Sequence, residues 1–250
     1  PVKGFTPEPL NHVDLAPGKG FPHDRIYAVE NGPSGFDPEQ PAWVSKQKFT
    51  VLAAIPEVAA ARTRYDASTG VLTAEAAGHP TFAGNLGEPQ GRADFEAWLG
   101  RFLPSGDVRG PLKVMDARGA FRFTDHPLGQ VSIINLASVA DLSARMGVEL
   151  DPLRFRANIY VDGWPPWVEN DWADRDLMLG WASARGFKPI VRCAATCVDP
   201  ATGRKDQDVT KALFDHYGHM NCGLYVSITT AGRVGLGDAV TAPQTAGARP

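Results

Sequence analysis

A series of short runs rich in β-branched and apolar residues, each closed off by Gly, Pro or Asp, constrains this chain more than any other feature. The runs fall at 26–30, 58–65, 71–76, 112–116, 131–135, 158–162, 177–179, 188–192, 223–228 and 239–241. Two segments, 92–103 and 137–146, repeat apolar residues at helical spacing, and a weaker third covers 207–216. The second of them has a cap in Asn135 or Ser138 and a stop at Gly147. Strands this short, without regular alternation of strand and helix, predict an α+β chain that is mostly β, a barrel-like or meandering sheet with a few covering helices. The stretch 103–110, with Pro104, Ser105, Gly106 and Gly110, marks a boundary between an N-terminal unit, 1–110, and a C-terminal unit, 111–243. The Ala-, Pro- and Gly-rich residues 244–250 read as a flexible tail.

Charge removes several classes of function. With 25 Lys and Arg against 28 Asp and Glu in 250 residues, the net charge is -3, and no overall field gathers nucleic acid. Any bound anion must be held by a local cluster. The longest apolar stretches, at 51–55 and 131–136, fall far short of the roughly 20 residues that span a bilayer, so no membrane span is expected. The first residues show no leader pattern. Three cysteines are too few and odd in number for a disulfide framework, which predicts a reducing compartment, the cytoplasm.

The densest chemistry lies at 191–203, a strand running through Arg192, Cys193 and Cys197 into a turn built by Asp199, Pro200 and Gly203. A fixed positive charge beside a thiol favours the thiolate, the form that binds metal or attacks an electrophile. Two other readings stay open. Free cysteines more commonly serve as small buried hydrophobes. Alternatively, Cys193, Cys197, His216 and His219 supply two thiolates and two imidazoles for a structural zinc, although both spacings are unusual for such a site.

The run from Arg192 through Cys193, Thr196, Val198, Asp199, Pro200 and Thr202 to Gly203 resembles the signature segment of the MOSC family, named for the C-terminal domain of molybdenum cofactor sulfurase. Other stretches agree in order. Pro1-Val2-Lys3-Gly4 resembles the opening of the family's N-terminal domain, Asp24-Arg25 its Asp-Arg pair, and Phe155-Arg156-Ala157-Asn158-Ile159 its Phe-Arg-Pro-Asn-Ile segment. The stretch from Asp171-Trp172 to Leu179-Gly180 and the closing Gly237-Asp238-Ala239-Val240 are similar as well. Departures are Ala157 for the usual Pro, Cys197 for the usual Thr, and a Gly- and Pro-rich insert at 31–41.

The resemblance implies a barrel-like MOSC domain preceded by an N-terminal MOSC-type β unit. It implies that Cys193 supplies a thiolate to the metal of a molybdenum cofactor (a molybdopterin), a soft ligand for a sulfur-rich centre. By the same resemblance Lys3, Gly4, Arg25, Ser45, Lys46, Arg156, Asn158 and Arg192 line the cofactor site. Arginine forks and lysine point charges both suit the phosphate on the pterin. The chain is similar to the amidoxime-reducing branch of the family, which implies a molybdenum-dependent oxidoreductase that removes oxygen from small N-hydroxylated substrates. Three cysteines cannot supply the four thiolates of a two-iron cluster, so a separate electron-donor protein is expected. Asp199 and His126 are candidate proton carriers. The alternatives are a carrier of sulfur as a persulfide on Cys193, and a noncatalytic carrier of the cofactor.

Overall fold

The computed structural model describes residues 1–117, 119 and 121–242, so the tail expected at 244–250 lies outside the described residues. As the short runs predict, the fold is α+β and mostly β: short strands in four sheets, with three α-helices among the described residues. The chain divides into two compact units, neither a single stretch of sequence. One comprises Pro1–Glu8, His23–Gly129 and Cys193–Asp208; the other comprises Pro9–Pro22, Gln130–Arg192 and the chain from Val209 onward.

In the first unit, Tyr27–Asn31 pairs antiparallel with Leu112–Asp116, and Arg62–Asp66, Val71–Glu75 and Phe82–Asn85 form a three-stranded meander. Helix α1 (Pro89–Phe102) opens on Pro89, whose missing N–H is no loss in a first helical turn. It buries Phe95, Trp98 and Leu99 on one face, and Phe95 packs against Phe5 and Phe82 at ring distances of 5.7 and 5.0 Å. The helix starts ahead of the predicted 92 because its first turn holds Gly91, which packs on the Asn85 backbone where a Cβ would fall 2.1 Å from the Asn85 carbonyl. The run predicted at 58–65 begins as a 3-10 turn, Pro56–Ala60, before the strand starts at Arg62. A separate aromatic cluster joins Phe36, from the 31–41 insert, to Phe121 and Phe123 at 5.3 and 4.7 Å. The insert thereby anchors the loop that reaches Asp125.

The second unit is built on a barrel-like six-stranded sheet in the spatial order Val240–Thr241, Asp176–Leu179, Ala182–Val191, Asn221–Thr230, Val131–Asn135, Ile159–Val161. Every neighbouring pair is antiparallel except the last. That parallel pair requires a crossover, and the crossover includes α2 (Leu136–Met146). The Asn135 side chain caps α2 by accepting from the Ala137 N–H at 3.1 Å, and Gly147 closes it at φ 68°. Helix α3 (Val209–Tyr217) matches the weak third segment. Val131–Asn135 is buried throughout, and its two polar side chains are hydrogen-bonded there, Ser132 to Asn158 and Asn135 to the Pro165 carbonyl and Glu169. Strand Ala182–Val191 extends six residues ahead of its predicted start at 188, because its first half alternates small residues rather than β-branched ones. Gly186 there lies so close to the Trp172 carbonyl that a Cβ would be 1.8 Å from it. The short pair His12–Leu15 and Gly232–Gly235, absent from the predicted elements, completes the unit.

Candidate functional site

Cys193 lies in extended backbone, φ -124° and ψ 174°, where the chain leaves strand Ala182–Val191 for the 3-10 turn Ala194–Cys197. Thr196 fixes that corner, its N–H and Oγ1 both donating to the Cys193 carbonyl at 3.0 Å. The following turn is held by Asp199, whose Oδ1 accepts from the Ala201 and Thr202 amides and the Thr202 hydroxyl at 3.0, 2.7 and 2.8 Å. Gly203 closes it at φ 68°, packed so near the Pro56 carbonyl that a Cβ would be 2.8 Å away. The Asp-Pro-Ala-Thr-Gly sequence is therefore a rigid support that leaves the Cys193 thiol half-buried and accessible.

A relay of three charged side chains in the first unit ends on that thiol. Lys46 Nζ donates to Cys193 Sγ at 3.2 Å and to Asp125 Oδ2 at 2.8 Å. Asp125 Oδ1 accepts from Lys3 Nζ at 2.6 Å, and Lys3 also donates to the Phe123 carbonyl at 2.8 Å. The chain of contacts runs Lys3, Asp125, Lys46, Cys193. Lys3 is buried because its backbone is tied to the Tyr27 strand. Burial lowers its pKa below the ordinary lysine value, Asp125 works against that shift, and the Arg25 charge adds to it. For Lys46 burial also opposes the charge, yet Asp125 and Cys193 prevail and hold its ammonium above the usual range. Burial would raise the Asp125 carboxyl; Lys3 and Lys46 overcome it and hold the group well below the usual carboxylate range.

The remaining predicted residues divide between the units. Gly4 follows Lys3 at φ 89°, with a Cβ there placed 2.7 Å from the Thr50 carbonyl. Ser45 precedes the 3-10 turn Lys46–Lys48 and caps it through its backbone carbonyl alone. Arg25, also left-handed at φ 49°, pairs with Asp24. Arg156, Asn158 and Arg192 belong to the second unit. Asn158 Oδ1 accepts from the Ser132 amide and hydroxyl at 3.0 and 2.9 Å, joining the parallel strands. Arg156 is left-handed at φ 51°. Arg192 is buried, donating to the Cys222 and Phe155 carbonyls at 2.7 and 2.8 Å with its guanidinium over the Phe155 ring. His126 Nδ1 accepts from the Leu128 amide.

The zinc reading fails on geometry: among the described residues no group of three or more His, Cys, Asp or Glu side chains is gathered to hold a metal ion. His219 Nδ1 accepts from the Asn221 amide, and Cys197 is buried with Sγ 3.9 Å from Asp208 Oδ1. Cys222 is a core residue whose thiol burial pushes up to about 12, which makes it inert. Asp125 is the site residue that the sequence reading missed. Its only signal was that Lys3, so close to a buried strand, needs a counter-charge from somewhere.

A single accessible thiol backed by lysine suits a group that brings a soft metal and an anion. The cations Lys3, Arg25 and Lys46 are paired with the carboxylates Asp125 and Asp24, and Lys46 also donates to the Cys193 sulfur. Gly4→Ala is expected to cost about 2 kcal/mol in urea denaturation, because a side chain at this φ is strained and meets the Thr50 carbonyl.

The family models "MOSC N-terminal beta barrel domain" and "MOSC domain" match residues 1–103 and 121–241. Molybdenum cofactor sulfurase of Caenorhabditis elegans is 39% identical over 101 residues, 39% of this chain and 14% of the relative. Mitochondrial amidoxime reducing component 2 of Bos taurus is 30% identical over 122 residues, 44% of this chain and 36% of the relative. The chain thus spans well under two thirds of the length of these curated relatives. YiiM from Geobacillus stearothermophilus aligns at a TM-score of 0.36 and 16% identity over 44% of this chain and 52% of that one, too distant to carry an argument.

Proposed function

Because the chain belongs to the MOSC-domain family, with both of its domains represented, we propose that it holds a molybdenum cofactor on Cys193 and reduces small N-hydroxylated compounds. The observation that carries the reading is the Lys46 ammonium 3.2 Å from an accessible Cys193 thiol. The relative named molybdenum cofactor sulfurase supports the cofactor, and the relative named amidoxime reducing component supports the reaction. When bound, the molybdenum centre supplies two-electron oxygen removal, by which an N-hydroxylated compound, two electrons and two protons become the N–H compound and water.

The protein's own part is to bind and orient. Cys193 provides the thiolate. Lys46 steadies negative charge at that sulfur, and Asp125 keeps Lys46 in place while neutralising the buried Lys3. Lys3, Gly4, Arg25, Ser45, Arg156, Asn158 and Arg192 are assigned to the cofactor by family resemblance. The electrons come from a separate donor protein, and the three free thiols suit the reducing conditions of the cytoplasm.

Sulfur carriage is the second reading, favoured by the 39% identity with a sulfurase. In that case Cys193 carries a persulfide, visible as the mass of one added sulfur atom. The deciding test is reduction of benzamidoxime by protein expressed in a cofactor-producing host, with reduced methyl viologen as donor. Turnover by the wild type and loss of at least tenfold in Cys193→Ser are expected. A Cys193→Ser protein that keeps its molybdenum and full activity would overturn the proposal.

A further inference from the structure

One end of the second unit presents large apolar side chains to solvent on three loops that brace one another. Trp181, at the turn between Asp176–Leu179 and Ala182–Val191, is 79% exposed. Leu236, just past Gly232–Gly235, is 77% exposed, and Leu10, before His12–Leu15, is 47% exposed. Met178 on the adjoining strand is 42% exposed. These loops are cross-tied through their backbones: the Trp181 N–H donates to the Arg233 carbonyl at 3.0 Å, Leu236 N–H to the Asn11 carbonyl at 2.9 Å, and Gly180 N–H to the Ala239 carbonyl at 3.1 Å. Gly180 and Gly232 let them close so tightly that a Cβ at either would lie within 2.6 Å of a neighbour. The side chains therefore stay outward on a rigid frame, although exposed apolar surface of this kind is unfavourable in water.

The occupant follows from area and charge. The exposed side chains amount to roughly 400 Å², about half of the roughly 800 Å² that one partner gives to a standard protein interface. The charged groups on these loops, Arg233, Asp14 and Asp238, are engaged locally. Arg233 pairs with Asp14 through Nε and Oδ1 at 2.8 Å, and Asp238 Oδ2 accepts the Gly235 N–H at 2.8 Å. Among the described residues of these loops no surplus cation is present to draw an anionic lipid. Tryptophan with leucine on hairpin tips is the combination that settles at the boundary between headgroups and acyl chains.

We propose that this loop cluster is a membrane-contact face, on which Trp181, Leu236 and Leu10 insert shallowly into an uncharged, zwitterionic lipid surface. The contact is peripheral and does not depend on the cofactor reading. No helix among the described residues is long and apolar enough to cross a membrane.

Flotation of the full chain with phosphatidylcholine vesicles tests it. The wild type is expected to float, Trp181→Ser/Leu236→Ser to lose at least tenfold in partitioning, and Phe214→Ser, a change at a 60% exposed aromatic on α3, to float as the wild type does. Lipid brominated in its acyl chains is expected to quench tryptophan emission, with Trp181→Phe abolishing the quenching while still floating. Absence of wild-type flotation, equal loss in Phe214→Ser, or binding only to vesicles containing anionic lipid would overturn the proposal. So would a wild-type dimer, seen by light scattering, that the double variant breaks, since the face would then belong to a second copy.

Discussion

Replacing Asp125 by alanine is expected to lower the unfolding free energy by about 2–3 kcal/mol near neutral pH. Breaking a buried ion pair typically costs about 3–5 kcal/mol, because the abandoned charge keeps its desolvation penalty. Two features reduce that figure here. The Asp125 side chain retains 43% exposure, so solvent screens part of the interaction, and Lys3 keeps its bond to the Phe123 carbonyl. What remains is a lysine ammonium buried beside the Tyr27 strand without its counter-charge.

The pH dependence has a definite sign. Asp125 titrates well below an ordinary carboxylate in the folded protein because Lys3 and Lys46 outweigh its burial. Its contribution is therefore fully present above the unfolded value, about pH 4, and is lost as the pH falls through the folded value. Urea denaturation of the wild type and Asp125→Ala is expected to show the full gap at pH 7 and a narrowing gap below about pH 4. A gap that stays constant through that range, or is below about 0.5 kcal/mol at pH 7, would remove Asp125 from the role assigned to it.

Much of the fold was legible because strand signals are local. Leu112–Asp116 and Val131–Asn135 carry enough apolar and β-branched side chains to declare themselves. His12–Leu15 does not, being four residues long and stabilised by a partner at the far end of the chain. The first half of Ala182–Val191 also escapes notice, since its small residues, with Gly186 among them where the Trp172 carbonyl approaches, erase the pattern that marks a strand. Nor does linear order reveal that Cys193–Asp208 packs with the N-terminal unit.

The site shows the same division. Cys193 was visible because the turn after it is written in side chains that hydrogen-bond locally, Asp199 and Thr202 above all. Its approach to Lys46 spans 147 positions, and the Lys3 to Asp125 contact spans 122, so only folding brings them together. Nothing in the Arg192-Cys193 dipeptide told that the guanidinium would turn inward to the Phe155 and Cys222 carbonyls. A charge beside a cysteine in sequence need not be the charge beside it in space. Here Lys46 donates to the sulfur.

The measurement that bears most directly on the central claim is metal and pterin content of protein expressed in a cofactor-producing host, for the wild type, Cys193→Ala and Cys197→Ala. Cys197 serves as the control because it is buried, with its sulfur 3.9 Å from Asp208 Oδ1. Molybdenum and pterin in the wild type and in Cys197→Ala, with a loss of at least tenfold in Cys193→Ala, is the predicted result. Molybdenum retained equally in all three, or absent from the wild type, would contradict the assignment of Cys193 as the ligand of a molybdenum cofactor.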